Sequence, residues 1–345
     1  MSSSTLCFVE SPVQLLNVLE WAHHAQATAT VVVLSPNDPM TRGQLRRMAE
    51  LARAEGHLVR WEEARGGASA PFRTIGGLAG PLRSADRVVI GDPFSRYVQL
   101  LLTLHTFIGR GARDLVVVDD GTATMEFVSQ LARGERLVRW HRRGGRPGPR
   151  DIAFGPVSSA ARRRLTPQEG RSKVSLFTSM PVDEAPDGVD ITANDYAWTR
   201  ARFGPPRLTR GADLVGTSLV ETGVVDLDRY LEAVRGLAAA HGATRYFAHR
   251  RESAEKLHRL AVETGLQIVR PDLPLELIAR RGPIGRTILS FPSTVVHTLP
   301  IALAGTDVKV AVCEIDPAWL KQGVSDHAQG FLAGIAGSAR GVRTV

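Results

Sequence analysis

Cysteine is almost missing from this 345-residue chain: only Cys7 and Cys313 occur, each inside an apolar, strand-like run. Two such thiols supply neither a metal-binding spacing nor a disulfide framework, and they fit a reducing, cytoplasmic compartment. Long hydrophobic runs are missing too. No stretch approaches the roughly eighteen apolar residues that a membrane span needs. The opening residues, Met1 to Thr5, are polar and uncharged, and the apolar run behind them is broken at Glu10, unlike a secretory signal. Lysine is scarce, with Lys173, Lys256, Lys309 and Lys321 the only four, so the formal charge of +8 is carried almost wholly by arginine. These arginines are spread along the chain without interleaved aromatics, which argues against a nucleic-acid partner and suits an arginine-rich coding bias together with attraction of an anionic substrate. The densest cluster, Arg139 to Arg150, reads as a flexible basic loop able to touch an acidic surface, including the inner face of the cell membrane.

Several nucleotide and metal signatures are also lacking. There is no GxxxxGKS/T loop, no GxGxxG after a strand, no GxSxG elbow, no HExxH and no paired CxxC. P-loop ATP binding, the usual nicotinamide fingerprint and zinc chemistry are all disfavoured.

What is present is an alternation of short apolar runs and longer helical patterns. Hydrophobic residues make up 43 %, and the length suits two domains of moderate size. In the first half, Leu6 to Val9, Ala29 to Leu34, Arg87 to Ile90 and Leu115 to Val118 read as strands. Val13 to His23, Arg42 to Glu55 and Tyr97 to Ile108 read as helices. Pro181 to Gly211, rich in Pro, Asp and Gly, reads as an irregular connection. A second alternating series follows, with strands at Asp213 to Gly216, Arg245 to Ala248, Gln267 to Arg270, Thr287 to Ser290 and Val308 to Glu314. The pattern predicts α/β architecture: two Rossmann-like domains with parallel sheets facing across a cleft, over residues 1–190 and 205–330, then a frayed tail over 331–345.

Four polar clusters follow predicted strands, where open α/β sheets bind ligands. Asp119-Asp120-Gly121 places two acids at a strand end, suited to a general base, although Asp-Gly is also ordinary turn chemistry. His249-Arg250-Arg251-Glu252 sets a histidine beside two cations, as a phosphate site would, or as a solvated helix cap would. Glu276, near a helix start after Pro274, could grip ribose hydroxyls or simply complement the helix dipole. Ser293-Thr294 open a helix after a strand and a proline, and offer hydroxyls to a phosphate or serve as a plain cap.

In order and spacing these clusters resemble the bacterial sialyltransferase superfamily, with its acidic-acidic-Gly, His-Pro and Ser-Ser/Thr motifs. Asp119-Asp120-Gly121, His249 and Ser293-Thr294 match them, while Arg250 stands where the family carries proline. Ser11-Pro12-Val13-Gln14-Leu15-Leu16, Asp119-Asp120-Gly121-Thr122 and His249-Arg250-Arg251-Glu252 look most like the polysialyltransferase-like glycosyltransferases. The resemblance runs from about residue 5 to residue 315. It implies a GT-B enzyme that transfers a sialic-acid-like sugar from a CMP-activated donor to a glycan acceptor with inversion, with no metal and no cofactor. Carried over, it makes Asp119 the base, Asp120 its support and His249 the group at the departing phosphate. Gly121, Arg250, Glu276, Ser293 and Thr294 then hold the donor. A GT-B transferase for another nucleotide sugar, and a non-catalytic nucleotide-sugar or polyanion binder, are the alternatives.

Overall fold

The computed structural model describes residues 4–67, 70–107, 114–139, 148–168, 172–182, 185–321, 334 and 342–344. The chain divides into two compact units, Met1–Trp198 and Thr199–Val345.

The first unit is built on seven strands: β1 (Thr5–Val9), β2 (Thr30–Leu34), β3 (Leu58–Glu62), β4 (Arg87–Ile90), β5 (Asp114–Val118), β6 (Lys173–Thr178) and β7 (Val189–Ala193). They lie in the order β3-β2-β1-β4-β5-β6-β7, every pairing parallel. The central strands are runs such as Val31-Val32-Val33 and Leu115-Val116-Val117-Val118, buried throughout, as strands covered by helices on both faces must be. Strand order reverses on either side of β1, so the carboxyl ends of β1 and β4 flank the expected ligand position.

The helix after β1, α1 (Pro12–His24), shows how the sequence sets the local structure. Ser11 caps it by accepting the Gln14 N–H, and Pro12 stands at its start. Its residues from Pro12 to Ala22 are nearly all buried, including Gln14, Asn17 and Glu20. That three-residue spacing puts the polar groups along one stripe, and each has a partner. Gln14 accepts the Glu10 N–H, Asn17 donates to the Asp119 carbonyl and accepts from Asn194, and Glu20 accepts the Trp198 N–H.

The second unit repeats the plan with β8 (Leu208–Val215), β9 (Ala243–Phe247), β10 (Gln267–Val269), β11 (Ile284–Ser290), β12 (Lys309–Val312) and β13 (Arg343–Thr344). Their order, β10-β9-β8-β11-β12-β13, is again parallel throughout and reverses beside β8. Between them run α8 (Leu227–His241), α9 (Ala254–Thr264), α10 (Leu275–Arg281) and α11 (Val295–Ala302). Asp226 and Ser253 cap α8 and α9, and Gly242 and Gly265 end them at φ of +60° and +70°, a conformation glycine adopts without strain.

Three sequence expectations change. Pro181 to Gly211 is not simply irregular: it holds β7, the short helix α7 (Ala197–Arg202) and the start of β8. Strand β7, Val-Asp-Ile-Thr-Ala, is a half-exposed edge strand whose identity comes from pairing with β6. Elements between the predicted ones also appear, among them β3, β6 and the helices α3 (Ala70–Ser84), α5 (Thr122–Ala132) and α6 (Pro149–Leu165). Arg343–Thr344, expected to fray, pair with Ala311 and Val312. Of the basic loop expected over 139–150, residues 140–147 lie outside the described residues. No described helix is long and apolar enough to cross a membrane.

Candidate functional site

In the first unit, carboxylates collect at the carboxyl ends of neighbouring strands: Glu10 after β1, Asp92 after β4, and Asp119 and Asp120 after β5. The two adjacent acids have opposite environments. Asp119 is 1 % exposed. Its Oδ1 accepts from the Thr178 hydroxyl at 2.5 Å, and its Oδ2 accepts from the Ser179 N–H at 2.6 Å and the Ser179 hydroxyl at 2.9 Å. Burial pushes its carboxyl up, and these hydrogen bonds pull it back. Both carboxylate oxygens are engaged from within the fold.

Asp120 is the accessible member. Its side chain is 17 % exposed and accepts from Arg139 Nη2 at 3.1 Å and from Gln14. Burial, and then the like charge of Asp92, push its carboxyl up to about 7, against the pull of Arg139 and Gln14. The same Arg139 Nη2 lies 2.8 Å from Asp92, whose other oxygen accepts the Phe94 N–H. Arg139 therefore joins two strand ends and is held above its ordinary value by both acids. Its approach is fixed by the fold. Gln130 brackets Val138 with two hydrogen bonds, and Gln99 and Ser158 hold the Leu137 carbonyl.

Beside this pair, Glu10 is engaged by Arg65 and by the Ser95 hydroxyl. Gly91 makes room for Gln14: a Cβ at Gly91 would stand 2.5 Å from Gln14 Cγ. Gly121 has φ +66° and ψ −128° at the start of α5, a conformation that side chains avoid. The glycine of the acidic motif thus serves the turn that presents Asp120.

In the second unit, His249 follows β9 and Ser293-Thr294 follow β11, on either side of β8. Two strand spacings separate such positions, about 10 Å. His249 is half-buried. Its Nδ1 accepts the Arg251 N–H at 3.2 Å. Burial first, then Arg250, Arg251 and Lys256, push the imidazole down to about 4. The ring is therefore neutral near pH 7, with its proton on Nε2, and acts as a hydrogen-bond donor rather than a cation. Arg250, where the resembled family has proline, is exposed.

Ser293 and Thr294 are partly exposed. Thr294 caps α11 without a side-chain hydrogen bond, and Ser293 Oγ stands 3.4 Å from Ser290 Oγ. Their hydroxyls sit at a helix start, where backbone N–H groups favour an anion. Glu276 is buried, and its Oε1 accepts from Thr298 of α11 at 2.6 Å. Burial raises its carboxyl and Thr298 opposes the rise.

The structure thus groups the acidic motif in one unit and His249, Arg250, Glu276, Ser293 and Thr294 in the other. Sequence reasoning missed Glu10, Gln14, Asp92 and Arg139. Asp92 carried a readable signal, being a strand-end acid like Asp119. Gln14 carried one as a polar residue at three-residue spacing from Asn17 and Glu20 on an otherwise apolar helix. Among the described residues, no group of three or more His, Cys, Asp or Glu is placed to hold a metal ion.

No protein-family model matches the chain, and no curated protein matches it. Solved structures do. An alpha/beta-galactoside alpha-2,3-sialyltransferase from the luminous marine bacterium Photobacterium phosphoreum is similar, with 9 % identity and a TM-score of 0.57, over 100 % of this chain and 98 % of that one. A protein described as a putative UDP-N-acetylglucosamine 2-epimerase from Listeria monocytogenes is similar at 13 % identity and a TM-score of 0.54, over 97 % of this chain and 83 % of that one. At such identities the likeness is one of fold: the chain has the α/β, two-domain GT-B architecture.

Proposed function

We propose that this protein is an inverting glycosyltransferase that moves a sialic-acid-like sugar from a CMP-activated donor to a glycan acceptor. The observation that carries the proposal is Asp120, a partly exposed carboxyl at the end of a central strand, held between Arg139 and Gln14 and raised from the ordinary carboxylate range by burial and by Asp92. A general base works best with a pKa near the operating pH.

In this reading Asp120 takes the proton from the acceptor hydroxyl, whose oxygen attacks the anomeric carbon of the donor. The bond from that carbon to the phosphate oxygen of CMP breaks, and its electron pair leaves with the phosphate. The role moves from Asp119 to its neighbour because both oxygens of Asp119 are already occupied inside the fold. Asp119 instead fixes the turn. Gln14 and Arg139 orient Asp120 and moderate its charge.

Negative charge grows on the departing phosphate. A neutral His249, donating from Nε2, and the Ser293 and Thr294 hydroxyls would stabilise that charge more in the transition state than before it. Glu276 holds α11 through Thr298, and in this reading a further lone pair of its carboxylate accepts from a ribose hydroxyl. Arg250 adds positive charge beside His249, suited to an anionic donor.

The epimerase-described neighbour has almost the same degree of structural likeness, so fold by itself does not choose between sugar transfer and other nucleotide-sugar chemistry. Calorimetric titration with CMP and UMP tests the nucleotide. Tighter binding of CMP is expected, and equal or undetectable binding of both would remove the CMP assignment.

A further inference from the structure

Behind His249 lies a buried charged network that the proposed chemistry does not use. The Glu252 side chain is fully buried and that of Lys256 is 1 % exposed, with Lys256 Nζ 2.7 Å from Glu252 Oε1. The Tyr246 hydroxyl donates to the same Oε1 at 2.6 Å, and the Tyr230 hydroxyl lies 2.6 Å from that of Tyr246. Lys256 also donates to the Thr217 carbonyl at 2.9 Å and stands 4.1 Å from the centre of the Tyr230 ring. Gly216 clears the space: a Cβ there would collide with the Glu252 carboxylate and stand 2.5 Å from the Tyr246 hydroxyl.

An ion pair this deeply buried is weak evidence for stability, because desolvation offsets the attraction. Its geometry points elsewhere. The second carboxylate oxygen, Oε2, accepts the His249 backbone N–H at 2.6 Å. The Glu252 N–H returns to the His249 carbonyl at 3.0 Å, and the Arg251 N–H binds His249 Nδ1. Three hydrogen bonds thus close the 249–252 turn around the imidazole. One of them ends on a carboxylate that Lys256 and Tyr246 hold immobile from the other side.

We infer that Glu252 is the positioning residue of His249: anchored by Lys256 and Tyr246, it fixes the turn so that Nδ1 is occupied and Nε2 is the nitrogen left to donate. Glu252 touches no substrate, since its oxygens are filled by protein donors. The inference rests on the proposed catalytic part of His249, but the state of the ring can be read without any donor substrate.

The test compares two variants without the Glu252–Lys256 pair; both equally leave Glu221, 18 % exposed and bonded to the Ser253 N–H, without its 3.5 Å contact to Lys256. Glu252→Gln with Lys256→Met keeps an acceptor for the His249 N–H, whereas Glu252→Leu with Lys256→Met removes it. Nuclear magnetic resonance gives the His249 tautomer and titration, and CMP release from CMP-N-acetylneuraminate gives kcat and KM. The Gln variant is expected to keep a single Nε2–H tautomer with a depressed titration, and a kcat within a few-fold of wild type. The Leu variant is expected to lose the single tautomer, with the ring proton shared between Nδ1 and Nε2, and to lose about a hundredfold in kcat, with KM changed only a few-fold. Identical His249 behaviour and kcat in two folded variants would overturn the inference. If the Leu variant does not fold, the wild type decides: slow exchange of the His249 amide supports the anchor, and an unprotected amide overturns it. A wild type that releases no CMP, yet shows the fixed tautomer, would count against the transferase reading and leave the positioning intact.

Discussion

Arg139 reaches Asp120 at 3.1 Å while bound to Asp92 at 2.8 Å, so one guanidinium sets the charge of the carboxyl that the acceptor would meet. Replacing Arg139 by Met removes a cation that favours the ionised form. The Asp120 carboxyl, already raised by burial and by Asp92, then rises further. A base must be deprotonated, so the rising limb of the pH-rate profile should move to higher pH. Initial rates between pH 5.5 and 9 check this, and an unmoved limb would mean that Asp120 is not the titrating group.

The two acids of the motif should fail differently. Asp120→Asn should lower turnover by about a hundredfold to ten-thousandfold, with little change in melting temperature and intact CMP affinity. Asp119→Ala strips the acceptor from Thr178 and Ser179 and should cost about 1–3 kcal/mol of stability. Paired thermal melts and turnover rates separate them. An active, well-folded Asp120→Asn enzyme would return the base to Asp119.

How far the sequence reached explains that division. The strand-end position of Asp119-Asp120-Gly121 is legible because a continuous Leu-Val-Val-Val run precedes it. Which acid faces inward is not legible, since the deciding partners lie on other elements: Thr178 and Ser179 at the end of β6, and Arg139 beyond α5. The edge strands β3 and β7 were similarly obscured. Arg60, Glu62 and Asp190 occupy them, because an edge has a solvated side and needs no unbroken apolar run. The strand-end positions of His249 and Ser293-Thr294 were legible, and the structure places them after β9 and β11. Glu252 was visible within its motif, but its burial against Lys256 and Tyr246 was not.

His249 also makes a stability prediction. Burial and the neighbouring cations push its imidazole down to about 4 in the folded chain, below the ordinary 6.5, so the unfolded chain binds the proton more tightly. The contribution is complete above pH 6.5 and is lost as pH falls toward 4. Between pH 6.5 and 5 the loss should be on the order of 1–2 kcal/mol. Denaturant melts of wild type and His249→Gln across that range should diverge by this amount, and parallel curves would contradict the burial of a neutral ring.

Gly91→Ala should act at a distance on Asp120. The added Cβ meets the Gln14 side chain, and overpacking of this kind costs about 1–3 kcal/mol. If Gln14 is driven from Asp120, turnover falls beyond the stability loss. Gly91→Ala with Gln14→Gly, which also removes the Gln14 Cβ that would stand 2.6 Å away, should recover part of the stability but not the rate. Full recovery of both would make Gln14 a packing residue only.

The proposed chemistry is met most directly by measuring which nucleotide is released from a panel of CMP-N-acetylneuraminate and UDP-activated sugars, with and without sialylated and neutral glycan acceptors. Acceptor-dependent release of CMP, with the sugar appearing on the glycan in inverted configuration, is the expected result. Release of UDP, or conversion of a UDP-sugar without transfer, with CMP-N-acetylneuraminate left untouched, would contradict it.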